Sequence, residues 1–452
     1  MAKPGTSRRG AGPASRDAPV WWLEEAGSRA FSLRAAVSSA EWGGRVCWHR
    51  LARSRKHDYS RVARGEKWDE IAAFVSHLPG ICAMPNTASA PVRYGIVGTG
   101  MIARFHAQAI AAVPDAKLTV VYDKVPERAQ AFAEEHGVAF ESDFDAFLAR
   151  TDLDAVTVTT PSGARVEIAV PAARAGKHVL CEKPIEVTPA RADRIINACA
   201  LNGVVLGCVF QARTWTNVKR IKAAVDAGRF GRLVMANVQL PWYRSQEYYN
   251  SAGWRGTWRL DGGGALMNQS IHIIDLLVHF CGRPAAASAF TDVLSHTDIQ
   301  VEDTAAAAVR FENGCLATIS ATTACNPGFT RRLELCGENG SVVLVNDRLE
   351  RWSFVDQTEE DDQILAEGQQ GEEELRGGAG DPKAISYEGH RRQIMDLTAA
   401  IIEGRDPIIC GTEGRRAVEL ICGIYESARS HRPYLFPEDD GPIARVAPPT
   451  LL

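Results

Sequence analysis

The chain has 452 residues, too many for one ordinary compact core, so size alone predicts two or three folding units. Hydrophobic residues make up 45% and charged residues 23%, a globular composition, and a net charge of -4 gives no basis for a nucleic-acid or anionic-membrane partner of the whole molecule. Eleven cysteines lack the paired spacing of zinc or iron-sulfur sites, and no apolar run approaches the roughly 20 residues that span a bilayer; the expectation is a cytoplasmic protein with reduced thiols, no metal and no membrane partner.

Residues 1–90 stand apart. They hold fourteen Lys or Arg against eight Asp or Glu, and five of the ten tryptophans, without a sustained apolar period. Arg8 and Arg9 precede no apolar stretch, so a secretory signal is not supported. Three readings stay open: a disordered or loosely helical extension, a basic arm for an anionic surface through residues such as Arg50, Arg53 and Arg55, or a natural polypeptide that begins at Met84.

A dinucleotide-binding domain is expected over 91–210. A strand at 94–97 runs into Gly98-Thr99-Gly100-Met101-Ile102-Ala103 and a helix at 105–113. The first glycine permits the tight turn, the second lets backbone approach a pyrophosphate, and the small third residue lets the helix lie close to the sheet. A strand at 118–122 ends in Asp123, about twenty residues on, where a carboxylate accepts from a ribose diol. That favours NAD; Lys124 and Arg128 nearby keep NADP as the less favoured alternative. Helices at 126–136, 144–150 and 165–174, alternating with strands at 155–159, 177–180 and 204–210, describe a parallel sheet. Its carboxyl edge receives Thr160-Pro161-Ser162 and Cys181-Glu182-Lys183-Pro184. Gly98, Gly100, Met101, Ile102, Asp123, Thr160, Pro161, Glu182 and Lys183 are the candidate cofactor residues.

A second domain is expected over 211–436, with a tail at 437–452. It begins with a helix at 218–227 and a strand at 234–240 that flows into an aromatic and arginine-rich run, 241–259. That run either covers a sheet end or presents flat rims and arginines to a polyhydroxylated ring bearing a carboxylate or phosphate, with Trp242, Tyr243 and Arg255 as candidate ligands. The glycine-rich stretch 261–264 permits a close backbone path into a single helix at 265–280. Strands follow at 286–293, 301–311, 315–323, 331–336 and 341–345, with an Asn313-Gly314 hairpin turn; then come an acidic solvated loop at 356–380 and helices at 390–403 and 412–430.

GIVGTGMIARFH, CEKPI and ALMNQSIHIIDLL occur in that order, and over roughly 92–436 the chain resembles the glucose-fructose oxidoreductase, inositol dehydrogenase and MocA family of NAD(P)-dependent oxidoreductases. The resemblance implies an α/β Rossmann domain, then an α+β domain with an open-faced, mixed and largely antiparallel sheet that serves a homo-oligomer, and a nicotinamide between them. It implies that Lys183 and His272 approach the oxidised hydroxyl of a sugar-like substrate, and that Arg213 borders the cleft, a surface salt bridge being the other reading. Asn268 stands where the family commonly has aspartate; it orients but takes no proton at neutral pH, which loads the base role onto His272 with its ordinary pKa near 6.5. Asp275, also a candidate substrate-side residue, either sets the imidazole tautomer or supports the helix. The run WYRSQEYYNSAGWRGTWRLDGGGALMNQSIH is similar to the subgroup acting on nucleotide-linked amino-sugars and their uronic acids. The alternatives are an inositol or free-sugar dehydrogenase, an oxidoreductase that retains its nucleotide, and a non-catalytic dinucleotide-binding regulator.

Overall fold

The computed structural model describes residues 90–371 and 386–437. The expectations for 1–89, for 372–385 and for 438–452 lie outside the described residues.

Short apolar strands alternate with helices through the first half, in the order β1 (Val92–Val97), α1 (Met101–Ala111), β2 (Ala116–Tyr122), α2 (Pro126–His136), β3 (Ala139–Glu141), α3 (Phe144–Ala149), β4 (Ala155–Val158), α4 (Val166–Arg174), β5 (His178–Cys181), α5 (Pro189–Asn202) and β6 (Leu206–Cys208). All six strands pair in parallel, in the order β3-β2-β1-β4-β5-β6. The strands read as continuous apolar runs because helices cover both faces, and β4 is buried at every position. Strand order reverses between β1 and β4, so the loop after β1 opens at the switch point where such sheets bind ligands. Helix α5 was not among the expected elements, although Thr188 caps Arg191 N–H and Pro189 occupies its first turn, both ordinary start signals.

The second half begins with α6 (Thr216–Asp226), β7 (Leu233–Pro241) and α7 (Gln246–Asn250), and then a π-helical turn, Ala265–Ser270, leads into α8 (Ile271–Cys281). Strands β8 (Pro284–Asp292), β9 (Thr304–Phe311), β10 (Leu316–Thr322), β11 (Arg332–Gly337), β12 (Gly340–Val345) and β13 (Arg348–Phe354) follow, then α9 (Glu359–Gly368), α10 (Glu388–Glu403), α11 (Gly411–Ser430) and β14 (Tyr434–Leu435). The sheet order is β13-β12-β11-β7-β10-β9-β8-β14, antiparallel except between β7 and β10. Strands β9 and β10 alternate buried and exposed residues, so α8 and α11 cover one face, while no described helix covers the other, which bears Met235, Phe290 and Leu316. Helix α10 returns to the first half and packs on α1, where Tyr94 Oη lies 2.8 Å from Thr398 Oγ1.

Two expectations are corrected. The acidic stretch contains α9: Thr358 and Asp361 form a reciprocal capping box, and the acidic first turn suits the positive end of the helix dipole. Asp361 is buried there, accepting from Trp352 Nε1 at 2.7 Å and from Arg229. The helix expected at 265–280 is not uniform. Its first turn is π-helical because the preceding glycines follow a path that a side chain would block: a Cβ on Gly264 would strike the Glu302 carbonyl, and one on Gly262, at φ +82°, would strike Val187. The Glu302 carboxylate takes the Gly264 and Leu266 N–H groups at 3.0 and 2.8 Å, satisfying donors that a helix start leaves open.

Candidate active site

One cleft of about 800 Å³ runs from the glycine turn to the π-helical turn, lined at one end by Gly98, Gly100, Met101, Ile102, Asp123, Thr160 and Pro161, and at the other by Trp242, Arg244, Tyr248, Arg255, Asn268, Gln269, His272 and Arg331. Lys183 lines it as well.

At the first end, Gly98 has φ +94°, a left-handed conformation costly for other residues, and a Cβ there would crowd the Thr160 backbone at 3.1 Å. Beyond Gly100 a Cβ would meet nothing within 4 Å, so its backbone faces open space. Helix α1 starts without a side-chain cap, leaving first-turn N–H groups for an anion. Asp123 shapes the same turn, accepting from Thr99 N at 2.9 Å, Thr99 Oγ1 at 3.1 Å and Val125 N at 3.0 Å. These features fit the pyrophosphate and ribose of a dinucleotide.

At the middle, Lys183 Nζ donates to the Asn268 carbonyl at 2.9 Å, joining the end of β5 to the π-helical turn. Burial pushes its pKa down to about 8. Half-buried His272 packs edge-on to Phe210, ring centroids 5.7 Å apart, and its Nδ1 has no partner among the described residues. Burial, and then the charges of Lys183 and Arg331, hold it well below the ordinary imidazole value, so the ring is neutral at physiological pH. This revises the expectation of a value near 6.5. Asn268 donates through Nδ2 to Asp261 Oδ1, and burial raises the pKa of Asp261.

The far end is built from side chains. Arg255 donates to Tyr248 Oη at 2.6 Å, with its guanidinium 4.2 Å from the Tyr248 ring and 4.6 Å from Trp254. Arg244 donates to Gln269 Oε1 at 3.1 Å and lies 5.0 Å from the Trp242 ring. Arg331 stacks 4.4 Å from Trp215, and burial lowers its pKa to about 10.

Most residues expected from sequence meet in this cleft, but three do not. Arg213 and Asp275 pair bidentately at 2.7 and 2.6 Å, and Arg213 also binds Glu413 at 2.7 Å. Both are buried and neither lines the cleft, so the structure corrects their assignment as substrate ligands: they join the turn Gln211–Thr214 to α8 and α11. Tyr243 is also absent from the lining. Consecutive side chains of an extended segment point to opposite sides, so Trp242 and Arg244 share the cleft side. Glu182 borders the cleft with both carboxylate oxygens engaged, by His106, His390 and the Lys183 N–H. Sequence reasoning missed Arg331, Trp215 and Gln269. The period-2 alternation was a usable signal for Arg244, while Arg331 carries none of its own.

Residues 92–210 match the oxidoreductase family with an NAD-binding Rossmann fold, and residues 218–343 match the GFO/IDH/MocA C-terminal domain. The chain belongs to the Gfo/Idh/MocA family. Among solved structures it is similar to the WlbA dehydrogenase from Bordetella pertussis in complex with NADH and UDP-GlcNAcA, at 32% identity and TM-score 0.69, covering 77% of this chain and 98% of that one. The WlbA dehydrogenase from Chromobacterium violaceum, in complex with the same two ligands, is 30% identical with TM-score 0.71, covering 79% of this chain and 100% of that one. Inositol 2-dehydrogenase from Rhizobium meliloti (strain 1021) is 26% identical over 348 residues, 75% of this chain and 98% of the relative. This Gfo/Idh/MocA protein is an NAD(P)-dependent oxidoreductase acting on a sugar-like substrate, with NAD as its cofactor. Among the described residues no helix is long and apolar enough to cross a membrane.

Proposed function

We propose that this enzyme oxidises a secondary hydroxyl, or reduces the matching ketone, on a nucleotide-linked amino-sugar or its uronic acid. The carrying observation is the charge of the cleft's far end: Arg244, Arg255 and Arg331 line it with Lys183 beside them at the middle, whereas the carboxylates that line the cleft, Asp123, Glu167 and Glu182, belong to the first domain, and Glu182 is already held by His106 and His390. A diphosphate and a sugar carboxylate together supply the anions that such a wall would hold, and guanidinium groups grip both through paired N–H bonds. The likeness to the two WlbA dehydrogenases supports the same substrate class.

The bound nicotinamide supplies the two-electron acceptor or donor. His272, neutral and set at the middle of the cleft, takes the hydroxyl proton in the oxidative direction. Lys183 donates to the same oxygen and stabilises the negative charge that grows on it. Asn268, through its carbonyl, holds the Lys183 ammonium in place, and Asp123 accepts from the ribose. A second copy of the chain covers the open sheet face, where Met235, Phe290 and Leu316 are exposed.

The test is NADH formation by the full chain with UDP-GlcNAcA, UDP-GlcNAc and myo-inositol in parallel. The reading expects a kcat/KM for the uronate at least about tenfold above that for myo-inositol, the scale of one good charged contact. Preference for myo-inositol contradicts it. Tightly bound NAD copurifying and failing to exchange would support the nucleotide-retaining alternative.

A further inference from the structure

Behind Lys183 lies a buried cluster that the proposed chemistry does not use. The Glu182 side chain is 4% exposed; its Oε1 sits 2.9 Å from His106 Nε2 and 3.1 Å from His390 Nε2, and its Oε2 accepts the Lys183 backbone N–H at 3.0 Å. His106 belongs to α1, the helix that starts at the glycine turn, and His390 to the first turn of α10. The two rings meet edge-on, centroids 5.0 Å apart.

Two chemistries fit three such atoms within 4.8 Å of one another: a metal site, or a carboxylate clamped by two N–H donors. The other ring nitrogens decide between them. A metal-bound imidazole almost always donates its second N–H to a partner. His106 Nδ1 and His390 Nδ1 are both buried without one among the described residues. With the proton on Nε2, each ring donates to Glu182 and leaves only an acceptor lone pair unmatched, which buried structure tolerates better than a stranded N–H. Gln211 Nε2 lies 3.4 Å from His390 Nε2, and turning that amide end for end lets its unpartnered Oε1 share the same N–H.

We propose that His106 and His390 are positioning residues that clamp Glu182 as a carboxylate and so fix the place and charge of Lys183. The inference rests on the role given to Lys183 above. The groups facing Glu182 are His106, His390 and Arg165, whose Nη1 donates to the Glu182 carbonyl at 2.6 Å; those acting on Lys183 are Glu182, Arg165, Asp261 and Arg255. Burial alone would raise the Glu182 pKa, yet the two imidazole bonds hold it well below the ordinary carboxylate value. The resulting anion favours the protonated form of Lys183 against its own burial. The clamp therefore links a helix near the C-terminal end of the chain to the reacting centre of the first domain.

The test compares the full enzyme with His390→Phe, His390→Gln and Glu182→Gln, measuring kcat/KM across pH, NAD affinity and the metal content of the purified protein. The first variant keeps the ring volume without the donor, the second keeps a donor, and the third keeps the shape, removes the charge and replaces one of the two acceptor oxygens by an amide NH2. In the His390→Phe and Glu182→Gln enzymes the Lys183 pKa falls, so activity that needs its charge is lost at lower pH, with the alkaline limb displaced downward by about one unit. His390→Phe also lowers kcat by about tenfold to a hundredfold through misplacement, and His390→Gln recovers most of the loss. Unchanged alkaline limbs in both His390→Phe and Glu182→Gln overturn the clamp, and so does a stoichiometric metal that His390→Phe removes. If His390→Phe fails to fold, Glu182→Gln decides alone. Lys183→Met separates the two claims: if it keeps the parent's rate and limb, the Lys183 role fails; if it loses them while the clamp variants do not, only the clamp fails.

Discussion

The two ends of the cleft are made differently. The cofactor end is largely backbone: a glycine at φ +94°, a second facing open space, an uncapped helix start and a carboxylate bonded into the turn it completes. The far end is side chain, with three arginines stacked on Trp242, Tyr248, Trp254 and Trp215. Backbone recognition suits a ligand whose phosphates are always the same, whereas aromatic and guanidinium walls can be exchanged residue by residue as the substrate changes. Substitutions at the far end should therefore change which substrate is used, and those at the near end which nucleotide.

The largest effect is expected away from either end. Asp275→Ala takes the bidentate partner from buried Arg213 and leaves it only the Glu413 bond, lowering stability by about 3 kcal/mol in denaturant unfolding, the low end for a broken buried pair. A variant of normal stability with a raised substrate KM would return Asp275 to the cleft and undo the distinction drawn above.

Arg331→Gln removes a cation from the far end only. Its kcat/KM for UDP-GlcNAcA should fall by roughly ten- to a hundredfold, the scale of a lost charge-assisted contact, with NAD affinity unchanged. An equal loss with an uncharged polyol would show that Arg331 supports the fold instead. Asp123→Ala is the counterpart at the near end: NAD binding weakens by about tenfold or more, the preference over NADP narrows, and substrate preference stays as it was. Isothermal titration with both nucleotides reads this directly.

How much of this was open to the sequence follows the same division. Glycine spacing, Asp123 and the lysine after β5 were legible because backbone recognition is local, written in a dozen consecutive residues. Trp215 and Arg331 converge only through the fold, and Arg331 immediately precedes an ordinary strand, whereas Arg255 was read from the aromatic run and Arg244 was within reach of its alternation. Arg213 and Asp275 misled because a charge near a cleft motif looks the same in sequence whether it faces the ligand or a partner. The acidic stretch misled in the opposite way: its charges suggested solvent, while Thr358 and Asp361 spelled a helix start.

The smallest expected effect is at Asn268. Asn268→Asp replaces the donor to Asp261 with a second carboxyl, so the pair shares a proton and one member titrates above its ordinary value. The folded state then binds more protons than the unfolded one between the two pKa values, and stability falls as pH rises through that interval. Melting temperatures of the variant and the parent, taken from mildly acidic to mildly alkaline pH, should diverge upward in pH; parallel curves would mean that the two side chains do not meet.

The central claim is that His272 handles the proton while Lys183 holds the oxygen. Single-turnover hydride transfer from a substrate deuterated at the oxidised carbon, followed across pH, isolates that step from product release. The account predicts no inflection near the ordinary imidazole value in the parent enzyme, because His272 is already neutral there, and a decline as pH rises past about 8, where Lys183 loses its charge. It predicts a loss of roughly 10²-fold or more in His272→Ala with NAD binding intact. Near-normal transfer in His272→Ala with an unchanged pH profile would contradict it.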